Sequence, residues 1–165
     1  MLKKKVCILG SFAVGKTSLV RRFVESIFSA DYLTTVGVRI EKKVVRVKNR
    51  EVTLMLWDLS GDDEFEPLRK SHLSGASGFF FVADGTRRAT LTSAVAIKQT
   101  ADKLLGPLPF VLVLNKADLA DRWETDAQKE KELAAHGWTI FHTSAKTGEN
   151  VEQAFQTLGQ AMVGG

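Results

Sequence analysis

The sequence predicts an α/β fold, with a mainly parallel sheet covered by helices on both faces. Short continuous apolar runs, Val6–Leu9, Phe79–Ala83 and Phe110–Leu114, lack polar alternation, as expected of strands buried on both sides. Longer segments of helical periodicity separate these runs. With 165 residues, 44% of them hydrophobic and 25% charged, the chain is expected to form one globular domain over residues 1–165.

Val6–Leu9 is the first strand, and a helix is predicted over about 16–26. Val44–Val47 and Val52–Trp57 flank Lys48-Asn49-Arg50, which predicts an antiparallel hairpin. Further helices are predicted over about 68–74, 88–105, 125–136 and 149–162. Thr125 and Glu149 stand near the starts of the last two, and Gly137 stands where a left-handed cap is wanted. Thr139–Phe141 supplies a last strand. The expected architecture is a three-layer sandwich around a six-stranded, mostly parallel sheet with one antiparallel hairpin strand. In such sheets ligands sit beyond the carboxyl ends of the strands, so chemistry is sought there.

Composition narrows the function classes. Cys7 is the sole cysteine, which excludes a disulfide framework and a cysteine-based zinc site and favours a reducing, cytoplasmic setting. Lys3, Lys4 and Lys5 precede an apolar run too short for a signal peptide or a membrane span. The closing residues Ala161–Gly165 offer no cysteine for prenylation, so no lipidation motif and no integral membrane segment are expected. The net charge is +4; Lys42, Lys43, Arg46, Lys48 and Arg50 are read as the solvent side of a strand pair rather than a nucleic-acid surface. His72, His136 and His142 lack metal-ligand spacing. Cys7 and Trp57 read as core, Trp123 and Trp138 as anchors of the helix they flank, and Arg87-Arg88 as a solvated helix start. Asp84 follows a strand but has no motif partner and stays outside the predicted site.

After the first strand comes Gly10-Ser11-Phe12-Ala13-Val14-Gly15-Lys16-Thr17, which matches G-x-x-x-x-G-K-[ST]. Its glycines let the backbone wrap so that N–H groups converge on phosphate oxygens. Gly10, Ala13, Val14, Gly15 and Ser18 are the expected cradle, helped by the dipole of the helix that follows. Lys16 is expected to reach the β- and γ-phosphates and the Thr17 hydroxyl to ligate Mg²⁺. The fold is therefore expected to be that of a P-loop NTPase.

Two more motifs follow strands: Asn115-Lys116-Ala117-Asp118 and Thr143-Ser144-Ala145-Lys146. Here the chain resembles the Ras superfamily of small GTPases, over essentially its whole length. The resemblance implies that Asp118 accepts hydrogen bonds from guanine N1–H and the exocyclic amine, paired donors that adenine lacks on that edge. It also implies an Ala145 backbone N–H to the base oxygen, the Lys116 stem over one ring face, and roles for Asn115, Ser144 and Lys146 in the same pocket. Phe28 stands where the family keeps an aromatic over base or ribose. Thr35, in Thr34-Thr35-Val36-Gly37, would ligate Mg²⁺ only in the triphosphate state, Asp58 would hold the Mg²⁺ shell, and the Gly61 N–H would meet the γ-phosphate. Loss of that phosphate would release both loops. Trp57 and Val36-Gly37-Val38 lean towards the Rab-like branch.

The implied function is a Mg²⁺-dependent GTP/GDP switch, monomeric, signalling to protein effectors through residues 31–38 and 58–72 and served by an exchange factor or activating protein. Lys16, Thr35 and Gly61 would carry hydrolysis. The stretch Trp57-Asp58-Leu59-Ser60-Gly61-Asp62-Asp63-Glu64-Phe65 departs from the family, because Asp62 occupies the position of its usual Gln. Asp62 can only accept when ionised, and it brings negative charge towards an anionic phosphoryl group. Slow hydrolysis is the expectation, with Asp62 turned to solvent. A binding module that holds GTP with negligible turnover stays open beside this reading. A P-loop kinase would leave both base motifs without a job.

Overall fold

The computed structural model of the chain describes residues 2–11, 13–25, 38–59, 70–124 and 126–164. The elements in order are β1 (Leu2–Gly10), α1 (Lys16–Glu25), β2 (Val38–Val47), β3 (Arg50–Leu59), α2 (Lys70–Leu73), β4 (Gly78–Asp84) and α3 (Arg88–Leu105). There follow β5 (Phe110–Asn115), a short 3₁₀ turn at Ala120–Arg122, α4 (Ala127–Ala135), β6 (Ile140–His142) and α5 (Val151–Val163). The six strands run in the order β2-β3-β1-β4-β5-β6. Every pairing is parallel except that of β2 with β3. This is the predicted α/β architecture, with its one antiparallel hairpin strand.

Alternation along the central strands shows why both faces need covering. Val6 and Ile8 of β1, Phe80 and Val82 of β4, and Val111 and Val113 of β5 face one core, against α1 and α5. Cys7 and Leu9, Phe79 and Phe81, and Leu112 and Leu114 face the other, against α3 and Leu133 of α4. On the first side Phe155 of α5 stacks between Phe23 of α1 and Phe80 of β4, with ring centroids 4.1 Å away in both directions. That stack ties the helix after the P-loop to the centre of the sheet, fixing the direction in which α1 leaves the loop.

The hairpin is longer than its apolar pattern suggests. Arg50 belongs to β3, so the turn is two residues, and Lys48 and Asn49 both take positive φ (52° and 65°). Two left-handed residues match the twist of the flanking strands, which is why so short a connection works. Lys42, Arg46, Lys48 and Arg50 are exposed, as expected. Lys43 differs: it lies on the covered face with Val45 and Val47, and its ammonium stands 5.3 Å from the Phe23 ring centroid. The stem packs while the charge stays at the rim.

Other boundaries shift slightly. The start of α4 is Asp126, whose carboxylate accepts from the Lys129 N–H at 3.0 Å, one residue after the expected Thr125. The start of α5 is Asn150 rather than Glu149. Gly137 takes φ 89° after α4, the left-handed cap its position predicts. Cys7 is fully buried, and burial pushes its thiol up to about 11, so it behaves as a small core residue. Trp57 is only half-buried, with the Lys5 ammonium 3.7 Å from its ring centroid. Among the described residues no helix is long and apolar enough to cross a membrane.

Candidate functional site

The carboxyl ends of β1, β3, β4 and β5 gather at one edge of the sheet, where the segment after β6 joins them. β1 has β3 on one side and β4 on the other, so the chain order reverses around it. Such a reversal opens a crevice at the strand ends, and the Gly10–Thr17 loop leaves β1 at that point.

Gly10 ends β1, and Ala13 (φ 64°) and Gly15 (φ 101°) turn the loop into α1. A Cβ at Gly15 would run into Asn115 Nδ2 as well as straining the backbone, so this position needs glycine. Lys16 and Thr17 open α1 and are both buried, and Ser18 follows half-buried on the same turn. Lys16 Nζ donates to the Gly10 carbonyl at 2.9 Å, holding its ammonium across the loop it belongs to.

Thr17 Oγ1 donates to Asp58 Oδ2 at 2.5 Å, and Asp58 is 1% exposed. A hydroxyl and a buried carboxylate at this separation form a hard oxygen pair of the kind Mg²⁺ takes alongside phosphate and water. Among the described residues no group of three or more His, Cys, Asp and Glu side chains could hold a metal. A Mg²⁺ site completed by phosphate oxygens needs none.

Asn115, 2% exposed at the end of β5, braces the loops against each other. Its Nδ2 donates to the Val14 carbonyl at 2.9 Å, and its Oδ1 accepts from the Ala145 N–H at 3.2 Å. The N–H expected to meet the base oxygen is thus already engaged within the protein, and base binding there requires that bond to be shared or exchanged. Ser144 is fully buried, and its hydroxyl donates to Asp118 Oδ1 at 2.7 Å, orienting an otherwise exposed carboxylate. Lys146 is exposed. Its carbonyl and that of Ala145 both accept from Arg22 of α1, the Ala145 bond measuring 2.8 Å.

Lys116 has two partners that its motif does not reveal. Its Nζ donates to the Ala13 carbonyl at 3.2 Å and pairs with Asp84 Oδ2 at 2.8 Å. Asp84 is 1% exposed, so its exclusion from the site for want of a partner is corrected: the partner is Lys116. Burial alone would raise the Asp84 carboxyl, but hydrogen bonds from Lys116, Thr86 and Arg87 outweigh it and hold the group below its ordinary value. Arg87, expected to be merely solvated, donates from Nε to the same oxygen at 3.0 Å. Trp123 packs on Gly85, where no side chain could fit, and against the His142 ring at 5.1 Å, joining the ends of β4 and β6. Trp138 packs on Phe110.

Phe12, Phe28, Thr35, Gly61 and Asp62 lie outside the described residues. Arg39, a nearby cation on β2, stands opposite Asp58 in register and directs its Nε to Glu41 at 3.2 Å.

The sequence matches known proteins over nearly its whole length. The Ras family profile matches residues 5–163. Ras-related protein Rab-32 of Mus musculus is 34% identical over 96% of this chain and 75% of its own length. Ras-related protein Rab-4B of Rattus norvegicus is 36% identical over 92% of this chain and 72% of its own length. The P-loop, the two braced base motifs and this coverage lead to one conclusion: the chain belongs to the Ras family, small GTPases that act as nucleotide-binding switches, on its Rab-like branch.

Proposed function

We propose that residues 1–165 form one G domain that binds GTP and GDP with Mg²⁺, hydrolyses GTP slowly, and signals to protein effectors through residues 31–38 and 58–72. The observation that carries this reading is the bracing of Asp118, held by Ser144, onto the same frame as the P-loop through Asn115. A ligand with an acceptor-seeking base edge and a phosphate tail spans that frame.

Asp118 reads the base by accepting from two adjacent donors, and Asn115, Lys116, Ala145 and Lys146 shape the pocket around it. Phe28 covers base or ribose. Gly10, Ala13, Val14, Gly15 and Ser18 surround the phosphates, and Lys16 exchanges its Gly10 contact for phosphate oxygens. Thr17 and Asp58 hold the metal in both states, with Thr35 added only when the γ-phosphate is present. Mg²⁺ bound there supplies neutralisation of phosphate charge. Lys16, Thr35 and Gly61 stabilise the reacting phosphoryl group. Asp62 in place of Gln favours the slow end of the rate range. The protein works as a cytoplasmic monomer, with an exchange factor or activating protein as regulator.

The test is to purify the protein, identify the nucleotide that copurifies, and follow one turnover of bound GTP. GDP or GTP bound in preference to ATP, with slow phosphate release, is expected. Equal affinity for ATP would remove the guanine reading, and no detectable release would favour a module that only holds GTP.

Thr35 supplies a second expected result. Thr35→Ala leaves GDP affinity within about twofold of native while abolishing the GTP-specific protection of residues 31–38 in hydrogen exchange. Equal weakening of GDP and GTP would show that Thr35 packs rather than senses.

A further inference from the structure

Asp84 belongs to none of the motifs, yet it pairs with the lysine that joins two of them. Its carboxylate is clamped before any ligand arrives. Oδ1 accepts from the Thr86 N–H at 2.8 Å and the Thr86 hydroxyl at 2.6 Å. Oδ2 accepts from Arg87 Nε and is left facing Lys116. The Asp84 backbone N–H is fixed in turn by the Thr90 hydroxyl at 2.7 Å. A carboxylate this constrained is a rigid post, whereas a lysine ammonium on its four-carbon stem is not.

We propose that Asp84 is the positioning residue for Lys116, and that the pair sets how long a bound guanine nucleotide stays on the protein. The proposal deepens the function argued above and rests on it. Lys116 bridges the turn after β4, through Asp84, to the P-loop, through the Ala13 carbonyl. Its own backbone takes φ 73° and Ala13 takes φ 64°, so the bridging residue and its P-loop anchor are both in a conformation that non-glycine residues seldom adopt unaided. A nucleotide that puts its phosphates in the P-loop and its base against Asp118 needs those two loops at one fixed separation. With the ammonium pinned by Asp84, it stays in place to hold the Ala13 carbonyl across that gap. With the ammonium unpinned, the stem swings freely and the link between the two loops weakens. Asp84 touches neither base nor phosphate, so its loss shortens GDP and GTP residence alike and leaves the guanine preference intact.

The experiment is the release of a fluorescent GDP analogue from native protein, Asp84→Asn, Lys116→Met and the double variant, each with a melting curve. Asp84→Asn is expected to release GDP about ten- to a hundredfold faster, the range for losing a charge-assisted contact. In the Lys116→Met background the same change is expected to add less than about twofold, because its route of action is gone. Leu133→Ala, in the core beneath α4 and outside the Asp84 clamp, is the control for general loosening: it lowers the melting temperature and leaves release within about twofold of native. Native-like release from a folded Asp84→Asn overturns the proposal, as do single effects that multiply in the double variant. Should Asp84→Asn not fold, Lys116→Arg, which keeps a cation for the carboxylate, is compared with Lys116→Met. Slower release from Lys116→Arg supports the ion pair, and equal release overturns it. A native protein that retains no guanine nucleotide at all overturns the parent reading as well, so the two failures are distinct.

Discussion

Asp118→Asn is expected to weaken GDP and GTP binding by about 2–4 kcal/mol while leaving ATP binding nearly unchanged. The carboxylate offers two acceptor oxygens to two adjacent donors on the guanine edge, and both contacts are charge-assisted. An amide keeps the shape but turns one of those acceptors into a donor, so one contact is lost and replaced by a donor facing a donor. Ser144 makes the effect sharper. Its buried hydroxyl holds Oδ1 at 2.7 Å, so the group cannot simply swing away to relieve the mismatch. In affinity the change is about thirty- to a thousandfold, measured by titration calorimetry with each nucleotide. A variant that lost GTP and ATP affinity in equal measure would show that Asp118 shapes the loop instead of reading the base.

The parts of this site legible in the sequence are those that belong to motifs with fixed spacing. Lys16, Thr17, Asn115 and Asp118 stand at fixed offsets after strands because phosphate and base chemistry dictate both type and spacing. The supports were not legible, because they act across the fold. Arg22 reaches carbonyls 123 and 124 positions away, and nothing in its helix distinguishes it from a surface arginine. Asp84 pairs with a lysine one strand further on, and the alignment of Asp84 with Asn115 across β4 and β5 is a property of register, not of composition. The fold divides similarly. Phe79–Ala83 reads as a strand because both of its faces are buried, whereas Ile40–Lys43 does not, since backbone pairing with β3 carries that segment despite its charges. The start of α4 was ambiguous because neighbouring polar side chains could each cap, and the geometry at Asp126 decides in its favour. At α5 no side-chain cap forms, so composition had no cap to reveal.

Asp62→Gln is expected to raise the rate of GTP hydrolysis about ten- to a hundredfold, a barrier reduction of about 1.4–2.7 kcal/mol. In most of the family the residue after the switch glycine is Gln, and its amide can accept from the attacking water while donating to the phosphoryl oxygens. Asp62 is one methylene shorter and, when ionised, has nothing to donate. Its charge also opposes the developing charge on the phosphoryl group. At about 4 Å that repulsion is roughly 1 kcal/mol in water and about 4 kcal/mol at an effective dielectric near 20. A carboxylate in that position therefore raises the barrier if it points inward and contributes nothing if it points to solvent. Phe12 is a second and weaker expected obstacle: the Ras branch keeps glycine at that loop position and other branches tolerate larger residues there, while an arginine supplied by a regulator is worth about 10³–10⁵ in rate. Arg39 directs its Nε to Glu41 on the same strand, so serving the phosphoryl group from within would mean leaving that partly exposed pair. Two further variants separate charge from reach. Asp62→Asn removes the repulsion without restoring the length, so its rate is expected to rise by less than about tenfold. Asp62→Ala tests whether the carboxylate does anything useful, and its single-turnover rate is expected to equal or exceed the native one. A native rate that already matches Gln-bearing relatives, and that falls in Asp62→Ala, would instead identify Asp62 as the residue that positions water.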